Sequence, residues 1–228
     1  MRSISSASVA AGLHAGSPTV LRETIRLAAI HRVAIGAHPG FADREGFGRR
    51  ELTLPAVEVE DLVLYQIAVV AGVAAAEGVR LQHVKPHGAL YNMAARDRAL
   101  ADAVVRAVRA FDRSLALFAP PRSELASAAR AAGLRVAAEG FADRAYQTDG
   151  SLAPRTVPGA VIEEVDVVVS RALRMVKEGS VRAVDGSPVS LDIDTICVHG
   201  DTPGCDALAA ALRAGLEAAG VSVKAPRA

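Results

Sequence analysis

The 228 residues suffice for one ordinary domain, and a chain that is 51% hydrophobic and 22% charged has ample material for a core, which excludes disorder. A net charge of +1, only 4% aromatic residues and no Trp exclude a broad basic footprint or a stacking platform for nucleic acid. Two cysteines, Cys197 and Cys205, cannot build a disulfide framework, and their spacing fits no zinc motif.

Short apolar runs alternate along the chain with longer segments of helical period. Ile4 to Val9 reads as a strand, and Ser17-Pro18 then supplies a cap and a first-turn proline for a helix to about Ile30. Val33 to Ala37 is the next strand and ends in His38-Pro39-Gly40. A polar, glycine-rich loop leads to Thr53, expected to cap a long helix from Pro55 to Ala76. The uncharged run Leu62 to Ala76 is shorter than the roughly 20 apolar residues of a bilayer span. It holds Tyr65 and Gln66, so a buried helix is expected and no membrane segment.

The unit then repeats. Leu81 to Val84 is a strand ending in Lys85-Pro86-His87-Gly88, and helical segments follow through Val108. A strand at Leu115 to Ala119 precedes a helix opened by Pro121 and closed by Gly133, and Arg135 to Ala138 leads into Glu139-Gly140. A polar loop from Phe141 to Gly159 precedes a helix through Lys177, and Val181 to Leu191 reads as a hairpin around Asp185-Gly186. The strand Thr195 to Val198 ends in His199-Gly200-Asp201, before a helix from Cys205 to Ala219.

Strands alternating with helices predict a parallel sheet covered by helices, either open and doubly wound or closed into a barrel. No linker or composition shift divides the chain, so a single domain over 1–228 is expected. Neither the dinucleotide fingerprint nor the Walker phosphate loop occurs. The chain reads as intracellular, with a cytoplasmic location expected.

His14, His38, His87 and His199 each follow a strand and are followed within two residues by Gly. Imidazole serves as acid, base or metal ligand near neutral pH, and a barrel gathers strand ends on one face. These four are therefore expected to share a functional site. His83, inside its strand and facing away from Val84, and His31, at a helix end, are expected to be structural. Lys85, Tyr91 and Asn92 join the same strand end, as do Glu139, Asp143, Arg144, Tyr146 and Gln147 after the strand at Arg135. Arg44, Arg49 and Arg50 flank Gly46-Phe47-Gly48 in a flexible loop suited to a carboxylate or phosphate. Asp201 precedes a helix start and is read as a site residue or a cap. Histidine with aspartate is also the donor set of a divalent metal, although no local His-x-x-x-His pair supports one.

The strings His14-Ala-Gly16, Ala34-Ile-Gly-Ala-His-Pro-Gly40, Gly46-Phe-Gly-Arg-Arg50, His83-Val-Lys-Pro-His-Gly-Ala-Leu-Tyr-Asn92, Phe141-Ala-Asp-Arg-Ala-Tyr146 and Val198-His-Gly-Asp-Thr-Pro-Gly204 closely resemble the LamB/YcsF family. The resemblance implies an α/β fold, a distorted parallel (β/α) barrel of the glycoside hydrolase/deacetylase type. Relative to the family it lacks a first strand carrying an Asp-Leu-Asn-x-Asp-x-Gly-Glu motif upstream of Ile4, and is in that sense N-terminally truncated. It also implies the A subunit of a bacterial 5-oxoprolinase, working with B and C subunits. The reaction implied is ATP-dependent opening of the 5-oxoproline lactam to L-glutamate, ADP and phosphate, with ATP as co-substrate phosphorylating the lactam oxygen. On that reading His14, His38, His87 and His199 move protons, with Asp201 beside them, and Lys85 stabilises developing negative charge. Arg49 or Arg144 grips the substrate carboxylate, and Tyr91, Asn92 and Tyr146 line the substrate. Two alternatives stand beside it: a metal-dependent amide hydrolase or deacetylase, and a non-catalytic interaction subunit.

Overall fold

A computed structural model describes residues 1–226, and the last two residues of the expected 1–228 domain lie outside it. The strands are β1 (Ser6–Val9), β2 (Ala34–Ala37), β3 (Leu81–Val84), β4 (Ala116–Ala119), β5 (Val136–Phe141), β6 (Ser180–Arg182), β7 (Pro188–Ser190) and β8 (Thr195–Cys197). The helices are α1 (Pro18–Ile30), α2 (Ala56–Ala76), α3 (Gly88–Arg96), α4 (Arg98–Phe111), α5 (Glu124–Ala131), α6 (Val165–Glu178) and α7 (Cys205–Ala218). Strand order in the main sheet is β1-β2-β3-β4-β5-β8, following the chain without reversal. A doubly wound sheet reverses at a switch point, so this order is that of the barrel type. The chain forms two compact units, Ser5–Ala137 and Ala138–Lys224, with the boundary inside β5.

In the first unit, β1 to β4 pair in parallel, and Ser8, Gly36, His83 and Ala116 stand level in one row across them. His83 is buried there, with Nε2 3.0 Å from the Ser8 hydroxyl and its ring stacked on Phe118 at 4.3 Å. A Cβ on Gly36 would fall 2.2 Å from that ring, so glycine is the residue that leaves room for it. The opposite row, Val9, Ala37, Val84 and Leu117, is wholly apolar and buried, and α1 and α2 pack against β1, β2 and β3. The structural role expected of His83 follows from this packing.

Ser17 caps α1 as expected, its side chain accepting from the Val20 N–H, with Pro18 in the first turn. Two expected caps are corrected. Pro55, not Thr53, is the residue before α2, and no side chain caps that end. Helix α5 begins after Ser123 rather than at Pro121, because the Ser123 hydroxyl accepts from Ala126 N at 3.1 Å and donates to Pro120 O at 2.8 Å. Asp97 accepts from Ala99 N and Leu100 N and thereby starts α4 directly after α3. By length and composition α2 could cross a membrane. One face of it, Val59, Val63, Gln66, Ile67, Val70 and Ala74, is fully buried in the fold.

In the second unit, β5 and β8 pair in parallel, with Phe141 level with Cys197. The expected hairpin forms as β6 and β7, antiparallel, with Gly186 at φ 84° in its turn. The polar loop after β5 is less irregular than expected, because Arg144 and Val161, and Tyr146 and Leu152, form isolated bridges.

Candidate functional site

Three loops of the first unit converge. His14 lies in the loop after β1, His38 follows β2, and His87 follows β3 as the residue before α3. Arg44 ties down the first loop by donating to Gly12 O at 2.7 Å and Gly16 O at 2.8 Å. The second is clamped by the fully buried Gln66 of α2, which accepts from Gly40 N at 3.1 Å and donates to Gly40 O at 2.8 Å. The backbone N–H of His87 donates to Pro39 O at 2.8 Å, which joins the second loop to the third.

The loop 41–50, expected to be flexible, is instead internally braced. Its Asp43 carboxylate accepts from Gly46 N at 3.0 Å and from the Arg50 guanidinium, which holds the Asp43 carboxyl down at about 2. This bracing puts Phe47 at φ 54° and Gly48 at φ 66°. A Cβ on Gly48 would stand 2.9 Å from His87 and 3.0 Å from His14, so the backbone there presses against both imidazoles.

The rings themselves form a tight cluster. His14 and His87 stack in parallel at 4.1 Å, and His38 meets them edge-on at 5.9 Å and 4.8 Å. Nδ1 of His38 lies 2.7 Å from Lys85 O, its Nε2 lies 3.0 Å from His87 Nδ1, and His87 Nε2 lies 2.7 Å from Phe47 O. Burial, with His87 adding to it, lowers the His14 pKa to about 3. Burial followed by Lys85 and His87 pushes His38 well below its usual range, offset in part by the bond to Lys85 O. His14 is buried, and its Nδ1 has no hydrogen-bond partner among the described residues.

The fourth histidine belongs to the second unit. His199 Nδ1 lies 2.7 Å from Asp143 Oδ2, and its ring stacks on Phe141 at 5.8 Å. A carboxylate only accepts, so Nδ1 carries a proton, and in the neutral ring Nε2 keeps the lone pair. Asp143 Oδ1 is buried without a hydrogen-bond partner among the described residues. Carboxylate, imidazole and a bare Nε2 are the oriented-base half of a catalytic triad.

The remaining expected residues are distributed as follows. Lys85 Nζ lies 5.9 Å from the ring centre of buried Tyr91, and Arg49 lies over the Phe47 ring at 4.9 Å. Asn92 is exposed on α3, and Asp201 is exposed ahead of α7, whose capping residue is Gly204. Arg144 is buried and donates to Ala160 O at 3.1 Å and Ala153 O at 2.6 Å, pinning its own loop. The Tyr146 hydroxyl accepts from Phe141 N at 2.9 Å, and burial raises its pKa. Among the described residues no three His, Cys, Asp or Glu side chains are grouped to hold one metal ion; the ring nitrogens of His38 and His87 are turned to each other and to carbonyls.

Sequence reasoning passed over Gln66 and Phe47, and it grouped Asp143 with its neighbours without pairing it to His199. The pairing of β5 with β8 brings them together: Asp143 and His199 each lie two residues beyond partners in register, Phe141 and Cys197.

The pattern of the LamB/YcsF family matches residues 1–228. The chain is 54% identical over 224 residues to the A subunit of 5-oxoprolinase from Chloroflexus aggregans, covering 98% of this chain and 89% of that protein. It is 55% identical to the A subunit of 5-oxoprolinase from Symbiobacterium thermophilum, covering 98% and 85%. The crystal structure of a lactam utilization protein from Thermus thermophilus superposes with a TM-score of 0.93 at 50% identity, covering 99% of this chain and 90% of that one. This chain belongs to the LamB/YcsF family.

Proposed function

We propose that this member of the LamB/YcsF family is the A subunit of an ATP-dependent 5-oxoprolinase. It opens the 5-oxoproline lactam to L-glutamate, with ATP and two waters consumed and ADP and phosphate released, in complex with B and C subunits. The observation that carries the reading is the buried cluster of His14, His38 and His87. It is assembled from the strings that carry the family likeness, in a chain whose relatives are named as A subunits of 5-oxoprolinase.

The chemistry demands such a cluster. A lactam carbonyl is a poor electrophile, and its nitrogen leaves only when protonated, so ring opening needs a driving reaction and groups that hold protons near neutrality. ATP supplies the drive by phosphorylating the lactam oxygen, and the imidazoles supply the proton handling. Lys85, at the end of β3, stabilises negative charge on oxygen. Of the two arginines expected to grip the carboxylate, Arg49 takes the role because it lies over Phe47, whose ring packs on His14 and His87. Arg144 shapes its loop through Ala153 and Ala160.

The test is reconstitution with the two partner subunits, 5-oxoproline and ATP, reading glutamate and phosphate release. Replacing His87→Gln, with the fold verified by circular dichroism, is expected to lower turnover at least about 100-fold, the usual scale for a lost acid–base group. Unchanged turnover in that variant removes the cluster from the mechanism.

A further inference from the structure

Past Phe141 the chain runs beyond the end of β5, yet the next three backbone carbonyls are all satisfied. Asp143 O accepts from Ile162 N at 2.8 Å. The carbonyls on either side of it accept from one side chain. Arg171 donates through Nε to Ala142 O at 3.0 Å and through Nη2 to Arg144 O at 2.7 Å. A guanidinium holds its N–H groups in a rigid planar fork, so gripping two carbonyls at once fixes where both point. Arg171 reaches them from α6, where it stands three residues after buried Val168 and four before buried Met175.

The residue between the gripped carbonyls is Asp143. Its buried carboxylate meets His199 Nδ1 at 2.7 Å through Oδ2, and Oδ1 has no hydrogen-bond partner among the described residues. A carboxylate with so few contacts of its own takes its direction from the backbone that carries it. That backbone is what Arg171 holds. The guanidinium also brings a positive charge to bear on Asp143, and a buried carboxylate is stabilised by a nearby cation. Burial lowers the Arg171 pKa, while Tyr146 and Asp143 oppose the fall and Arg174 adds to it; an arginine stays charged throughout the working range of a protein.

We propose that Arg171 is a positioning residue: by clamping Ala142 O and Arg144 O it aims Asp143 at His199 Nδ1, and so keeps the lone pair of the neutral ring on Nε2. The inference deepens the reading above and rests on it for His199 being one of the imidazoles that move protons.

The experiment compares the parent with Arg171→Ala as full chains, by nitrogen-15 spectra of labelled histidines at about pH 8, where an ordinary imidazole is neutral. In the parent, His199 should show a protonated Nδ1 and a bare Nε2. In the variant both nitrogens should move to intermediate shifts, the mark of mixed tautomers, and millimolar ethylguanidinium should restore the parent spectrum. Turnover of 5-oxoproline with ATP and the partner subunits should fall about 10- to 100-fold, the scale of a misplaced catalytic group, and recover with the same additive. Parental shifts in the variant overturn the proposal. Mixed tautomers that ethylguanidinium leaves unchanged also overturn it, because lost packing of α6 would then be the cause. So does parental turnover with mixed tautomers, because the alignment would then serve no reaction. If Arg171→Ala does not fold, Arg171→Lys takes its place: an ammonium lacks the planar fork, so mixed tautomers support the clamp and parental shifts overturn it. The expected spectra together with a parent complex that releases no glutamate would remove the 5-oxoprolinase reading and leave the positioning role standing.

Discussion

The carbonyl of Phe47 accepts the Nε2–H of His87 at 2.7 Å, from a residue held at φ 54° in the left-handed region. That conformation costs a non-glycine residue about 1–2 kcal/mol, and Asp43 holds it through Gly46 and Arg50. Backbone strain is thus used to fix the tautomer of a buried imidazole. Phe47→Gly relieves the strain and removes the ring that packs on His14 and His87. Expected are unfolding free energy within about 1 kcal/mol of the parent and turnover down about tenfold or more, because the carbonyl loses its fixed direction. Denaturant titration and glutamate release read the two separately, and full activity would deny the carbonyl its role.

Gly36 and His83 test the packing of the first unit. Because a Cβ at position 36 would lie 2.2 Å from the His83 ring, Gly36→Ala is expected to cost about 1–3 kcal/mol, the range for overpacking a core. In a His83→Ala background the same change should cost much less, since the atoms it meets are gone. Additivity in this double-mutant cycle would mean that the strain lies elsewhere.

Acid should unfold the protein through its neutral imidazoles. His14 and His83 each have a pKa lowered to about 3, mainly by burial. The unfolded chain binds protons at these rings near pH 6.5, whereas the folded chain resists until near pH 3. Their contribution is complete above pH 6.5 and is lost as pH falls toward 3. Together they should remove about 3 kcal/mol of stability between pH 6.5 and pH 5. His83→Gln should remove about half of that slope in urea melts, and an unchanged slope would assign the acid sensitivity to other groups.

The ends of β1, β2, β3 and β8 are legible in the sequence because each strand is followed by His with Gly within two residues of it. That pattern placed His14, His38 and His87 at adjacent strand ends, and parallel neighbours β1, β2 and β3 then brought their rings together. His199 was placed correctly at a strand end, but its partner was not identified. Asp143 follows β5, and α6 and the β6–β7 hairpin intervene before β8, so no local period announces that β5 and β8 are neighbours. The bracing of loop 41–50 was hidden for a different reason. Glycines and arginines in sequence read as mobility and charge, and only the fold shows Arg44 and Arg50 committed to carbonyls and to Asp43.

Asp143 and His199 supply the last test. The carboxylate holds the His199 proton on Nδ1, leaving Nε2 as the lone-pair nitrogen. Asp143→Asn keeps the volume, but its amide can donate to Nδ1 and turn the ring into the opposite tautomer, with the proton on Nε2. If His199 acts as a base, turnover should fall by about 100- to 10,000-fold while the melting temperature stays near that of the parent. A loss of position alone would move KM and kcat together and leave the tautomer unchanged. The nitrogen-15 shifts of His199 separate the cases, because the tautomer exchange moves both ring nitrogens in opposite directions. Full turnover with the exchanged tautomer would relieve His199 of any role as a base.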